Sequence, residues 1–188
     1  MPEKTFERLV PNLDAHLRKP ASRPDLLYDA AELDALRSRM ADHPDLAQRI
    51  RTNAAAILRK KDFKTDPSPY YHGMPDLARL TEAQMLEPAP EIERHMLTLL
   101  AAIAEAPRWV AHVHGQMKCD HCTANIAAAM ALAMEALGPA LEPDDERRLT
   151  ESVAGHCFTR FLDCCRERSV FWAQREHRFN WRDRKSVV

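Results

Sequence analysis

Glycine is scarce in this chain, with 4 in 188 residues, and aromatic residues make up only 6% of it. A sheet protein draws on glycine-bearing turns and on runs of β-branched and aromatic residues, so this composition excludes most all-β architectures. Charge of one sign is also missing: 27 Lys and Arg stand against 28 Asp and Glu, a formal net charge of -1. No global field therefore draws the chain to nucleic acid or to an anionic membrane. Long apolar runs are absent too. The most apolar stretch, Ile126 to Leu137, is shorter than the roughly 20 residues that span a bilayer. The opening stretch from Met1 to Val10 carries charges where a secretory leader has an apolar core. A cytoplasmic protein is expected, or a periplasmic one if a leader is removed. The five cysteines, at positions 119, 122, 157, 164 and 165, are odd in number in a chain long enough to fold without staples. That argues against a disulfide framework and for reduced thiols.

What is present is helix-forming. Ala, Leu, Glu and Arg fill long stretches, and 45% hydrophobic content supports one buried core. The fold expectation is all-α, built from antiparallel helical hairpins. Residues 1–24 read as an N-terminal arm with a short apolar stripe from Phe6 to Leu17, and residues 25–188 as the helical domain. Asp29 followed by Glu32 is a capping-box pattern, leading Leu33, Leu36 and Met40 at helical spacing up to His43-Pro44. Pro44 opens a second helix with Leu46, Ile50, Ala54, Ile57 and Leu58 on its buried face. Lys60 to Pro75, with Tyr70-Tyr71-His72-Gly73, reads as a long loop before a shorter helix from about Asp76 to Met85. Pro90 and Glu91 start the next helix, with Ile92, Met96, Leu99, Leu100 and Ile103 on one face and Pro107 beyond its end.

A loop with Trp109, His112, His114 and Gly115 then leads to Asp120, the start of an apolar helix expected at the centre of the bundle and closed by Gly138-Pro139. A last helix from about Glu142 to Arg168 carries Leu149, Val153, Cys157, Phe161 and Cys164 on one face. Leu33, Leu36, Ile50, Ile57, Leu99, Ile103, Met130, Leu132, Leu149, Val153 and Phe161 are expected to be mostly buried.

Two groups of residues carry candidate chemistry. His112, His114, Cys119, His121 and Cys122 combine a Cys-x-x-Cys pair with histidines, the spacing of a zinc site at a turn or helix start. No second pair closes the shell, so incidental histidines and buried thiols are the alternative, and no metal or other cofactor is expected. The tail from Val170 to Trp181 is aromatic and basic. Arg175, His177 and Arg178 there suit an anionic sugar, because guanidinium pairs with carboxylate or sulfate through two parallel hydrogen bonds; a truncated basic helix face is the alternative. Trp109, Trp172 and the Tyr70-Tyr71 pair suit stacking on sugar rings, although an aromatic in a helical protein more often packs in the core, and Trp181 shares a face with His177 if a helix continues through them.

Three segments, taken in order, resemble the N-terminal helical part of the heparinase II/III-like polysaccharide lyases. Arg23-Pro24-Asp25-Leu26-Leu27-Tyr28, followed by Ala31 to Arg37, resembles the family's entry motif, with Arg23 where the family usually has His. Asp120 to Leu137, with Leu141, Pro143, Glu146, Arg147 and Leu149, resembles its Ala-rich helix, Leu-Gly turn and following helix. Phe171-Trp172 and Asn180-Trp181 resemble the aromatic pair and Asn-Trp that precede its active-site stretch. The resemblance implies an incomplete α/α toroid, β-elimination on uronic-acid polysaccharides, and a role for Asn180 as donor to the substrate carboxylate. It also implies completion by a downstream toroid and β-sandwich part, or by self-association. The family continues with a second Asn and a Cys-Asn-Gly-Gly-like stretch, whereas Arg182-Asp183-Arg184-Lys185 follows here. The expectation is therefore a contribution to a groove for an anionic poly- or oligosaccharide rather than a working lyase. A non-catalytic helical scaffold and a small metal-binding helical protein are the alternatives; neither a nucleic-acid nor a membrane partner is expected.

Overall fold

The computed structural model describes residues 30–60, 73–111 and 114–169. Within them the chain forms helices and connecting turns, and no strand among the described residues. Among the described residues seven α-helices follow in order: α1 (Ala30–Met40), α2 (Pro44–Leu58), α3 (Gly73–Leu86), α4 (Pro90–Glu105), α5 (His121–Leu137), α6 (Pro143–Val153) and α7 (Arg160–Glu167). A 3-10 turn (Gly138–Ala140) joins α5 to α6, and a π-helical turn (Ala154–Thr159) joins α6 to α7. The all-α architecture is thus as the composition expects. The N-terminal arm, Asp29 and the Tyr70-Tyr71 loop lie outside the described residues.

Local chemistry explains most boundaries. Proline stands in the first turn of α2, α4 and α6, where its missing N–H is one that a helix leaves unpaired anyway. Acidic side chains follow in each case: Asp45 in α2, Glu91 and Glu93 in α4, and Asp144, Asp145 and Glu146 in α6, all at the positive end of the helix dipole. Helix α4 stops at Ala106, which is extended as a residue before proline must be. Gly138 after α5 takes φ 52°, a left-handed backbone that a side chain would strain. Helix α3 starts three residues before the expected Asp76, because Gly73-Met74-Pro75 is already helical.

Helix α3, rather than α5, occupies the middle of the bundle, packing against α1, α2, α4 and α5. Its Met74, Leu77, Leu80 and Ala83 recur at helical spacing and are buried. They meet Ala54 and Ile57 of α2, Ile92, Met96, Leu99, Leu100 and Ile103 of α4, and Ile126, Met130, Ala133 and Leu137 of α5 in one continuous core closed by Leu149 of α6. Buried polar groups in α3 are satisfied locally. Thr81 Oγ1 donates to Leu77 O at 2.8 Å, Gln84 Oε1 accepts from Ala89 N at 3.1 Å, and Asp76 pairs with Lys60. Hydrogen bonds also tie neighbours together: Arg37 Nε donates to Met85 O at 2.8 Å, tying α1 to the end of α3, and Ser152 Oγ donates to Ala104 O at 3.1 Å, tying α6 to α4.

Ile57, Leu99, Ile103, Met130 and Leu149 are buried as expected. Leu33, Leu36, Ile50, Leu132 and Val153 are only half-buried, since they sit at the rims of their stripes. Phe161 departs from expectation: it is 43% exposed, and nearby Phe158 is 62% exposed. The apolar stripe of α6 continues into α7, but no described helix covers that flank. Only Cys164 is enclosed, against Cys119 and Met117 of the segment preceding α5. Among the described residues no helix is long and apolar enough to cross a membrane.

Candidate functional site

The chemistry-bearing side chains that the fold brings together lie at the N-terminal end of α5, and Asp120 organises them. As the helix cap it is extended (φ -145°), and its Oδ1 accepts from Cys122 N at 2.9 Å and Thr123 N at 3.2 Å. Thr123 answers by accepting from Asp120 N at 3.2 Å, which completes a reciprocal capping box. The other carboxylate oxygen, Oδ2, accepts from Ala111 N at 2.9 Å and lies 2.8 Å from His114 Nδ1. The side chain is almost wholly buried. Burial alone would raise its pKa, but the donors from Ala111, His114, Thr123 and Cys122 together outweigh that and hold the carboxyl below its usual range.

Thr123 extends the network inward, its hydroxyl donating to Trp109 O at 3.0 Å. Trp109 is 1% exposed and donates from its indole Nε1 to Ile103 O at 2.9 Å, inside the bundle. Its ring stacks on His156 of the π-helical turn, with centroids 4.8 Å apart and planes 14° from parallel. The buried His156 Nδ1 has no hydrogen-bond partner among the described residues. Burial, and then the nearby Arg160 charge, push the His156 pKa down and favour the neutral ring.

On the outer side stand two imidazoles. His114 is half-buried and His121 exposed, with rings edge to face at 5.9 Å and 77°. One ligand atom from each of His114, Asp120 and His121 lies within 4.8 Å of the others. Cys122 Sγ is 3.5 Å from His121 Nε2, yet Cys122 is fully buried. Burial pushes the thiols of Cys119 and Cys122 up to about 11, so both are protonated at neutral pH and poor nucleophiles. Cys119, Cys122, Cys157 and Cys164 are free thiols.

Of the residues that the sequence nominates for a sugar site, Trp109 is corrected by the structure: its ring is enclosed by the core and by His156, and offers no face to a ligand. Asn180, Trp172, Arg175, His177, Arg178 and Trp181 lie outside the described residues, as does His112. Sequence reasoning saw Asp120 as a helix start and missed its second role; the Asp-x-x-Thr spacing to Thr123 signals the cap but not the links to Ala111 and His114. His156 carried no signal, since a single histidine on a helix face is common. Elsewhere, a groove of about 410 Å³ between α1, α2 and the α3–α4 junction is lined mainly by aliphatic side chains such as Ile50, Ala54 and Ile92, with the Arg51–Glu87 ion pair beside them. The chain matches no protein-family model, no curated protein and no solved structure.

Proposed function

We propose that this chain is the N-terminal toroid portion of a heparinase II/III-like polysaccharide lyase, contributing a binding surface for an anionic uronic-acid polysaccharide rather than the full set of groups for β-elimination. The observation that supports the proposal is the way α5 begins, ends and hands over to α6. Asp120 caps α5, Gly138 turns the chain directly after Leu137, and Pro143 stands in the first turn of α6. The longest stretch of family resemblance runs through those same residues, and antiparallel hairpins are the unit from which a toroid is assembled.

Elimination needs a donor to neutralise the uronate carboxylate, a base to take the acidified C5 proton and an acid to protonate the leaving oxygen. Asn180 is assigned the first role. Trp172, Arg175, His177, Arg178 and Trp181 are assigned to the sugar surface, with guanidinium pairing to carboxylate or sulfate. No residue is assigned as base or acid, and both must be held within hydrogen-bond reach of one sugar for turnover. The chain by itself therefore binds without cleaving, and completion comes from a further toroid and β-sandwich part or from self-association.

Two measurements test this. Incubation with heparan sulfate, chondroitin and alginate is expected to leave the ultraviolet absorbance of unsaturated uronate flat. Retention on immobilised heparin is expected, fading with added salt and lost in an Arg175→Ala, Arg178→Ala double variant. A chain with no salt-sensitive retention has no such surface. Product that scales with protein and disappears in Asn180→Ala would show a working lyase and overturn the division of labour.

A further inference from the structure

We propose that Cys119 and Cys164, with the Met117 thioether beside them, form a binding site for one copper(I) ion. The site stands apart from the polysaccharide proposal and uses none of the residues assigned there. Besides the main core, the described residues hold a second buried cluster, made of Cys119 and Cys164 with Met117 packed on it. Every side chain in it carries sulfur, and none is a branched aliphatic. The cysteines are 4% and 0% exposed. Cys119 directly precedes the Asp120 cap of α5, while Cys164 lies in α7, so folding rather than closeness in the chain brings them together. On the surface the Lys118–Glu167 ion pair, at 2.6 Å, joins the same two segments.

The chemistry of the donors selects the ion. Thiolate and thioether are soft ligands, and they favour copper(I) over the harder divalent ions. Structural zinc takes four donors, whereas two thiols and a thioether make three, a number that copper(I) accepts. Side chains in contact lie within about 4.0–4.5 Å of one another. Two sulfurs on one ion, at metal–sulfur bonds of about 2.3 Å, stand at most about 4.6 Å apart. A cysteine side chain has no heavy atom beyond Cβ and Sγ, so turning χ1 brings contacting thiols onto one ion without backbone movement. The Cys119 S–H donates to Asp120 O over a long 3.9 Å, so little bonding is lost when an ion takes the place of its proton. Binding replaces two S–H bonds with two S–Cu bonds, releases two protons and leaves copper in the +1 state, with one net negative charge on the site. Lys118, whose ammonium lies within electrostatic reach of Cys164, offsets that charge. Met117 is half-buried and gives the ion its way in. Cys122 is enclosed beside His121, and Cys157 packs on the main core, so neither belongs to the set.

The test is anaerobic titration of the reduced, chelator-stripped, full-length chain with copper(I) held by a chromogenic copper(I) chelator. The chain is expected to withdraw one copper from the chelator, with an ultraviolet thiolate-to-copper band. Cys119→Ser and Cys164→Ser should each abolish the withdrawal, Met117→Leu should weaken it, and Cys122→Ser and Cys157→Ser should leave it unchanged. Spectra of the unsubstituted protein give the same answer without relying on a variant that fails to fold. X-ray absorption at the copper edge should find sulfur neighbours alone, and copper(I) should move the Cβ resonances of Cys119 and Cys164 and the methyl resonance of Met117. The proposal is overturned if the chain takes no copper, if uptake is unaltered in both serine variants, or if the shifts are confined to Cys122, Cys157 or Cys165. Nitrogen in the copper shell, or loss of both thiols to a disulfide with no copper retained, would likewise remove the site.

Discussion

Asp120 Oδ2 accepts the backbone N–H of Ala111 at 2.9 Å, so the carboxylate that caps α5 also holds the end of the loop arriving from α4. One side chain thereby joins two parts of the chain that local helix chemistry would leave independent. Asp120→Ala is expected to lose about 1 kcal/mol as a helix cap and a further ~1–3 kcal/mol for the buried Ala111 N–H left without an acceptor. Urea denaturation followed by circular dichroism measures the sum; a loss under about 1 kcal/mol would show that water or a neighbouring group replaces the carboxylate.

The same carboxylate sets an acid limit. Its folded pKa lies below the ordinary value, so the folded state binds the proton less readily than the unfolded chain. The stabilisation is complete above the unfolded pKa of about 3.9 and is lost as pH falls through the folded one. Denaturation curves between neutrality and pH 2 should show this loss in the parent protein and a smaller one in Asp120→Asn.

His156 acts higher on the pH scale. Burial depresses the pKa of this base, so the unfolded chain takes up the proton first, and stability falls as pH drops below the unfolded value of about 6.5. His156→Phe keeps a ring against Trp109 without the titration. Melting temperatures from pH 8 to pH 5 should fall less steeply in this variant, and identical slopes would remove His156 from the account.

Burial along the α6–α7 segment separates two apolar positions. Leu149→Ala empties a position that is 2% exposed and should cost about 2–5 kcal/mol. Phe158→Ser changes a side chain 62% exposed and should stay within about 0.5 kcal/mol. Chemical denaturation of both variants decides the matter, and a large cost at Phe158 would show that this flank is covered.

Thiol reactivity follows the same burial. Cys119 and Cys122, pushed up to about 11 and enclosed, should be alkylated slowly at pH 8 in the native protein and rapidly in denaturant. The half-buried Cys157 and Cys165 should react ahead of them. Mass spectrometry of time-resolved alkylation identifies each site. Elemental analysis should find no stoichiometric zinc held by the Cys119–Cys122 pair, and zinc whose removal exposes both thiols to alkylation would contradict that.

Where helices begin and end was legible in the residues themselves. Pro44, Pro90 and Pro143 open helices, Pro107 bars continuation of α4, Asp120 caps α5 and Gly138 closes it. Each acts through its own φ, its own N–H or a side chain reaching two or three residues along, so a sequence window contains both partners. The long apolar stripes of α4 and α5 were legible for the same reason.

What covers those stripes was not. Tertiary packing alone put α3 at the centre, turned Trp109 inward onto His156, left Phe161 exposed and brought His114 and His121 to one side of Asp120. Periodicity shows that a helix has an apolar face, but whether that face meets another helix, a short loop or water depends on residues tens of positions away. The second oxygen of Asp120 illustrates the limit: its capping partners Cys122 and Thr123 are written beside it, while its Ala111 partner becomes a neighbour only when the loop after α4 folds back onto the start of α5.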